Sequence, residues 1–557
     1  MKKMFHFCTA IALLLCGCAS NTSLPSAKCE NGNFVGYVED NGVLTFKGIP
    51  FAKPPVGNFR WKAPRPVDTS DKVFSAKDFR NPCLQSYDEG EVSSHGKTSE
   101  DCLYLNIWTQ DLQMKQDRPV MVWFHGGSYG WGGTNDPLYE GKYLVAEYPD
   151  VVLVTVGYRV NALGFIDFSK VPGGKAFPDA PYLGILDQQQ ALRWIQKNIR
   201  AFGGDPDNVT IFGESAGGGS VCCHLIAKGS EGLFRRAIAM SGEIYLEHTP
   251  KNFAQTAQAE KLLKAAGCKD MAGLMALSEA DLLKALNTEI SEEISFEGIG
   301  SKVGDFNNWP MRSNERSILS TDGYNAILKG KAKDVDLMIG IVADEIRYWA
   351  HLQYDPNDKR SPLAGFYEWT QMRINNIKKI SGPDTARRIE EALAYIDPDS
   401  DEWNKKHPGI WKYTEILNNF MFRMGSILLA QNHSEAKGKG RTYMYVFGKE
   451  YEKNAYPGED YMKACHACEL TYAFNNMTIT DGAPFDPVLT KRFSNILVNF
   501  ARTGNPSIEN LEVPQYDKTN RNTLTIGRDS RIYVEKNPLR KITELLLPAY
   551  YDFFLKK

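Results

Sequence analysis

Neither sign of charge is in excess in this chain. It carries 65 Lys+Arg against 67 Asp+Glu, a net charge of -2, which leaves no electrostatic case for binding nucleic acid. After the N-terminus no apolar run approaches the roughly 20 residues needed to span a bilayer. There is also no internal repeat, low-complexity tract or long linker. The 557 residues, which on length alone would allow two domains, therefore read as one α/β domain with helical insertions. Core material is not short: 43% hydrophobic and 11% aromatic residues are ample for a sizeable interior.

The N-terminus stands apart. Lys2 and Lys3 precede an apolar run from Phe7 to Leu15, too short for a span but right for a signal h-region. It ends in Leu15-Cys16-Gly17-Cys18, which reads as a bacterial lipobox with Cys18 as the lipidated residue. The alternative is an ordinary secretory signal cut nearby, after Ala19. Both export the protein, either as a periplasmic or cell-surface lipoprotein or in secreted form, with membrane contact only through the N-terminal anchor. Residues 1–18 are then signal and lipidation site, 19–28 a polar tether, and 29–557 the folded domain. Export permits disulfides. Cys83 and Cys102 bracket a polar loop that suits a bridge. Cys222 and Cys223, on an apolar stretch, read as buried thiols.

Along the chain, Asn33 to Lys47 alternates around Asn41-Gly42, a hairpin signal. Buried strands are predicted at Leu103–Trp108, Pro119–Phe124, Val151–Val156, Val209–Phe212, Ala237–Met240, Val335–Ile341 and Tyr443–Phe447. Helical spacing covers Leu186–Phe202, Ala216–Ala227, much of 250–285, most of 369–435 and Leu489–Thr503. Residues 292–314 look irregular, and 524–534 reads as an edge hairpin. Alternating strands and helices predict a mostly parallel sheet with helices on both faces.

The most informative stretch is Gly213-Glu214-Ser215-Ala216-Gly217, between the Val209–Phe212 strand and the following helix. A Gly-x-Ser-x-Gly in that setting is a nucleophile elbow, with flanking glycines where the turn leaves no room for side chains. A serine hydroxyl attacks only when a base takes its proton, and the base needs a third group to orient it. In elbow enzymes the order is serine, acid, histidine. His224 lies directly behind the elbow and reads as structural, and His407 and His433 as surface residues. His466, in the turn Lys463 to Cys468, occupies a loop where a base belongs. Val342-Ala343-Asp344-Glu345 follows a buried strand, and on spacing either Asp344 or Glu345 could be the acid. Oxyanion donors are expected from the Ala216 amide and the turn His125-Gly126-Gly127-Ser128-Tyr129.

Several longer motifs then fall into line: Glu100 to Asn106, Tyr158 to Phe165, Leu186-Asp187-Gln188, and Phe202 to Pro206 running into Phe212 to Gly218. Together with the glycine turn they resemble the type-B carboxylesterase/lipase family, which includes the cholinesterases. The resemblance covers roughly residues 30 to 550 and is densest up to about 245. It implies an α/β-hydrolase fold and hydrolysis of a small-molecule carboxylic ester through an acyl-enzyme, with no cofactor and no metal. It implies Ser215 as nucleophile, Glu345 as acid and His466 as base, with Gly127, Ser128 and Ala216 as oxyanion donors and Gly126 shaping the bend. It also matches Cys83–Cys102 to the family's first disulfide.

There are departures from the family pattern. Ile346 stands where the family usually has Gly after the acid, Ser128 replaces a frequent Gly, and Ala467 replaces the Gly after the base. The Cys83–Cys102 loop has no tryptophan, so it lacks the aromatic floor on which cholinesterases bind choline. Cys465 and Cys468 flank the base as a local disulfide or free thiols; a metal there would need two more ligands. Trp131, Trp309, Tyr348 and Trp349 are candidate pocket walls. A non-catalytic binding protein is the alternative from another class, since adhesion members of this family have lost the nucleophile. A lipase, or an esterase acting on acylated polysaccharide, is the alternative among enzymes.

Overall fold

Apolar runs bounded by turn residues assemble into two sheets in the protein, described here as a computed structural model. The structure describes residues 24–85, 97–112, 117–244, 255–293, 318–319, 323–353, 355, 357–396, 402–450, 461–478 and 486–554. A small sheet joins β1 (Ser26–Cys29), β2 (Gly32–Val35) and β5 (Val73–Ser75). The large sheet contains β3 (Tyr37–Val38), β4 (Leu44–Pro50), β6 (Tyr104–Thr109), β7 (Arg118–Phe124), β8 (Val152–Val156) and β9 (Gly204–Glu214). It continues through β10 (Arg236–Met240), β11 (Asp336–Val342), β12 (Thr442–Phe447), β13 (Asn522–Ile526) and β14 (Ile532–Lys536).

Its spatial order is β14-β13-β12-β11-β10-β9-β7-β8-β6-β4-β3. From β8 across to β13 every neighbouring pair is parallel, and only the two margins are antiparallel. β7, β8, β10 and β11 are buried along their whole length, as strands covered by helices on both faces must be. One position matters most for function. β7 lies between β8 and β9, so the strand order reverses there and opens a crevice at the carboxyl ends of β7 and β9.

Most predicted elements recur with shifted ends. The helix behind the elbow spans Ala216–Ile226, and the one before β9 spans Leu183–Asn198 with a 3₁₀ turn to Phe202. Two expectations need correction. The tether read over 19–28 is folded from Ser26 onward: β1 pairs with β2, burying Ala27 and Cys29, through backbone bonds that a polar composition does not reveal. His433 is not on the surface. It is buried on the helix Met424–Glu435, with its ring nitrogens on Thr442 Oγ1 at 2.7 Å and the Ala332 carbonyl at 3.2 Å. Residues 1–23, with Cys18, lie outside the described residues, as does 294–314 of the stretch expected to be irregular. Among the described residues no helix is long and apolar enough to cross a membrane.

Candidate active site

The elbow is built from atoms that are absent. A Cβ on Gly217 would sit 1.9 Å from the Phe124 carbonyl oxygen, and one on Gly213 would meet Gly217 at 2.5 Å. A Cβ on Gly218 would approach the Met240 carbonyl oxygen to 2.5 Å. Side chains at these positions would push the helix Ala216–Ile226 off the ends of β7 and β10. Ser215 itself is held at φ 56°, ψ -123°, a conformation a non-glycine residue rarely adopts, and it stays half-exposed at the helix N-terminus. Its amide bonds the Met240 carbonyl at 2.9 Å, tying the strained residue to the neighbouring strand.

The turn after β7 faces it. Gly127 has φ 100°, where a Cβ would strike the Trp131 carbonyl oxygen at 2.3 Å, so glycine is required. Ser128 and Tyr129 also take left-handed conformations, at φ 50° and 58°. Among the described residues the amides of Gly127 and Ser128 have no acceptor, and Ala216, first in its helix, has none within that helix. The turn is braced from below. His125 stacks on Tyr158 at 4.3 Å, and the Tyr158 hydroxyl donates to the His125 carbonyl at 2.6 Å. Burial pushes the His125 pKa down to about 4, so this imidazole stays neutral.

The two acidic candidates after β11 have different partners. Glu345 Oε2 lies 2.6 Å from His466 Nδ1, while its Oε1 accepts from Ser241 Oγ at 2.7 Å and the Val342 amide at 2.9 Å. Asp344 turns away and accepts from the Ala464 amide and Arg528, with Arg347 3.7 Å distant. Ile346 needs no glycine: it is buried in the first turn of the 3₁₀ helix Glu345–Gln353, with its amide on Asn418 Oδ1 at 3.3 Å. Ala467 does occupy glycine's territory, at φ 68°.

His466 Nε2 is 3.1 Å from Glu214 Oε1, near enough for charge pairing but not aligned as a hydrogen bond. Burial alone would lower the His466 pKa; the carboxylates of Glu214, Glu345 and Glu469 outweigh it and push the value up to about 9. Burial raises Glu214, against the pull of His466 and with the help of Glu345, to about 7. Glu469 is buried with neither oxygen hydrogen-bonded, and burial, then Glu214 and Glu345, push it well above the carboxylate range. Three carboxyl groups thus crowd one imidazole, and burial pushes two of them, Glu214 and Glu469, toward their protonated forms.

Tyr348, Trp349 and Phe422 surround the His466 ring at 6.1, 5.2 and 5.1 Å. Trp131 abuts Gly127, and Trp309 lies outside the described residues. Cys83 and Cys102 form the expected disulfide, and Cys465 and Cys468 are free, buried thiols.

Comparison with known proteins identifies the family. The model of the carboxylesterase family matches residues 24–543. The chain belongs to the carboxylesterase family. It is 32% identical over 536 residues to the para-nitrobenzyl esterase of Bacillus subtilis, covering 93% of this chain and 98% of that one. It is 31% identical to the acetylcholinesterase of Bungarus fasciatus, covering 93% and 84%. A solved thermophilic PNB esterase superposes with a TM-score of 0.74 at 29% identity, covering 94% of this chain and all of that one. A carboxylesterase of Geobacillus stearothermophilus gives 0.74 at 28%, covering 94% and 99%. The fold is that of the α/β-hydrolases, and the protein is a carboxylic ester hydrolase of the serine type.

In this carboxylesterase the motifs that carried the resemblance are mostly scaffold. Asp187 takes three bonds from Arg159, all within 3.0 Å, and Glu100 takes two from Arg60 at 2.6 Å. Glu214, Ser241, Glu469 and Phe422 escaped the sequence argument. Ser241 had a signal, since it follows β10 at the same sheet edge as the elbow. Glu214 stood inside the motif, but its direction is set by tertiary packing.

Proposed function

We propose that Ser215 attacks the ester carbonyl, His466 takes its proton through Nε2, and Glu345 orients the ring and stabilises its charged form. The observation that carries this reading is the pairing of Glu345 with His466 Nδ1 at 2.6 Å, which leaves Nε2 without an aligned hydrogen-bond partner. The amides of Gly127, Ser128 and Ala216 receive the oxyanion, with Gly126 shaping the bend. His466 then protonates the leaving alcohol, and water resolves the acyl-enzyme by the same steps. The substrate class we infer is a neutral ester with a compact apolar or aromatic group, matched to the wall of Tyr348, Trp349 and Phe422. The related para-nitrobenzyl esterase acts, by its name, on an aromatic ester. We further infer export of the chain with lipidation at Cys18, on the N-terminal pattern alone, and one catalytic domain over 29–557.

A series of p-nitrophenyl esters from acetate to palmitate tests the reading on protein lacking residues 1–18. Turnover falls with chain length for the compact pocket, and a rise toward palmitate replaces it with a lipase. Ser215→Ala lowers kcat by about 10⁴-fold or more. Stoichiometric labelling by an organophosphate is expected of the parent and absent from this variant; an unlabelled parent restores the binding-protein alternative.

A further inference from the structure

The turn after β11 that carries Glu345 is clasped by a side chain from another element. Asn418 closes the helix Pro408–Asn418, just before a π-helical turn at Asn419–Arg423. It is buried, and its amide group bonds the backbone on both sides of Glu345. Nδ2 donates to the Ala343 carbonyl at 2.7 Å, and Oδ1 accepts from the Ile346 amide at 3.3 Å. Ile346 lies in the first turn of its 3₁₀ helix, where amides find no acceptor within the helix itself. A buried amide of that kind needs a partner from elsewhere, and Asn418 supplies it. Arg423 Nη2 also reaches the Ala343 carbonyl, but only at 3.5 Å.

The same segment touches the base. Phe422, inside the π-helical turn, holds its ring 5.1 Å from that of His466. Such turns are uncommon and often accompany functional sites. This one is pinned in place: Arg423 Nη1 donates to Glu415 Oε1, and Asn419 Nδ2 to the Glu415 carbonyl, both at 2.8 Å. One braced segment therefore meets the acid turn through Asn418 and the imidazole through Phe422.

We propose that Asn418 is a positioning residue for ester hydrolysis: by clasping Ala343 and Ile346 it aims Glu345, rather than Asp344, at His466 Nδ1. The proposal rests on the acid and base assigned above. Before Glu345 the chain is held by other means, since the Ala343 and Asp344 amides bond the Phe447 and Ala464 carbonyls at 2.8 and 2.9 Å. After Glu345 the Ile346 amide is held by Asn418. Among the described residues, the ionisable groups facing His466 are Glu214 at the end of β9, Glu345, Glu469 and Tyr348. Glu345 is the one bonded to Nδ1, and the one whose flanking backbone Asn418 holds.

Steady-state kinetics on p-nitrophenyl acetate test the role, with folded enzyme counted from the amplitude of its urea unfolding transition. Asn418→Leu, close in volume but able to make neither bond, is expected to lower kcat about tenfold to a hundredfold, with KM changed less than about twofold. Its acid limb of kcat/KM moves to lower pH, because a misdirected Glu345 favours the imidazolium less. Asn418→Gln keeps both polar groups one methylene further out. It shows the same two changes in smaller measure and carries the test should Asn418→Leu not fold. Thr414→Val removes a bond on the same helix, from Oγ1 to the Ile410 carbonyl at 2.6 Å. Whatever it does to the unfolding temperature, it leaves kcat and the acid limb unchanged. A parent-like kcat, an unmoved limb, a loss carried by KM, or a loss matched in Thr414→Val overturns the proposal. Glu345→Gln tells the two readings apart. If it also keeps the parent's kcat, the acid assignment fails and the proposal falls with it; a loss in Glu345→Gln alone overturns only the role of Asn418.

Discussion

The two sides of the candidate active site are built by opposite means. The nucleophile side, from β7 to β10, relies on missing side chains: Gly213, Gly217 and Gly218 let backbones approach where a Cβ would overlap carbonyl oxygens. The base side relies on side chains in places that resist them. It buries Glu345 and Glu469, with Glu214 reaching across from the end of β9, around one imidazole and puts Ala467 at a left-handed φ of 68°. Glycine constrains geometry and is visible in a sequence. Buried charge constrains protonation and is not. The contrast predicts that substitutions on the first side damage position, while those on the second change pH behaviour.

The largest effect within this comparison is expected at the proposed acid. Glu345→Gln is expected to lower kcat by up to about 10⁴-fold, because it mis-sets the imidazole tautomer. Asp344→Asn should leave kcat nearly intact and lower the unfolding temperature, since Asp344 serves Arg347 and Arg528; the reverse ranking would exchange their roles. Next comes Gly217→Ala. Its methyl group would lie 1.9 Å from the Phe124 oxygen, so the elbow must shift, and kcat is expected to fall about 10²-fold or more. Retained activity with an unchanged unfolding temperature would show that the close approach is not required.

A smaller and more diagnostic effect is expected on pH dependence. In the proposed mechanism activity needs the neutral imidazole, so it is expected to fall as pH drops through the pKa of His466. The Glu214 charge favours the imidazolium form, and Glu214→Gln therefore lowers that pKa and carries kcat/KM to lower pH. Glu469→Gln is the comparison: burial pushes this carboxyl toward its protonated form and it is the smallest of the carboxylate influences on His466, so the acid limb moves less. Equal shifts in the two variants would mean that both carboxyls are charged. The smallest change is Ala467→Gly, which relieves the left-handed alanine and should stabilise the fold by up to about 1 kcal/mol, read by urea unfolding. Destabilisation would show that the Ala467 methyl contributes packing that offsets the strain.

The same contrast explains what could be read from the chain. Alternating apolar runs and turn glycines set the order of strands and helices, and the elbow and glycine turn announced themselves by spacing. Asp344 and Glu345 could not be separated by position, because adjacent carboxylates after a strand differ only in which way the chain turns next. His433 failed for a related reason: a polar neighbourhood in sequence says little about a helix face covered by β12. The strand Ser26–Cys29 was missed because four residues in a polar segment carry no periodicity, and its partner supplies the stabilisation. The buried carboxyl cluster drew residues from three separate segments, and no local pattern joins them.

The closure between Glu345 and His466 spans 121 residues of chain, and the elbow and glycine turn are contributed by still earlier strands. Loops of that length close late, after most of the sheet between them has formed. The site is therefore among the last features the chain completes, and no partly folded form that lacks the C-terminal strands is expected to hold it. Ester hydrolysis by this protein should accordingly serve as a readout of complete folding, with activity returning in refolding experiments no earlier than the slowest structural signal.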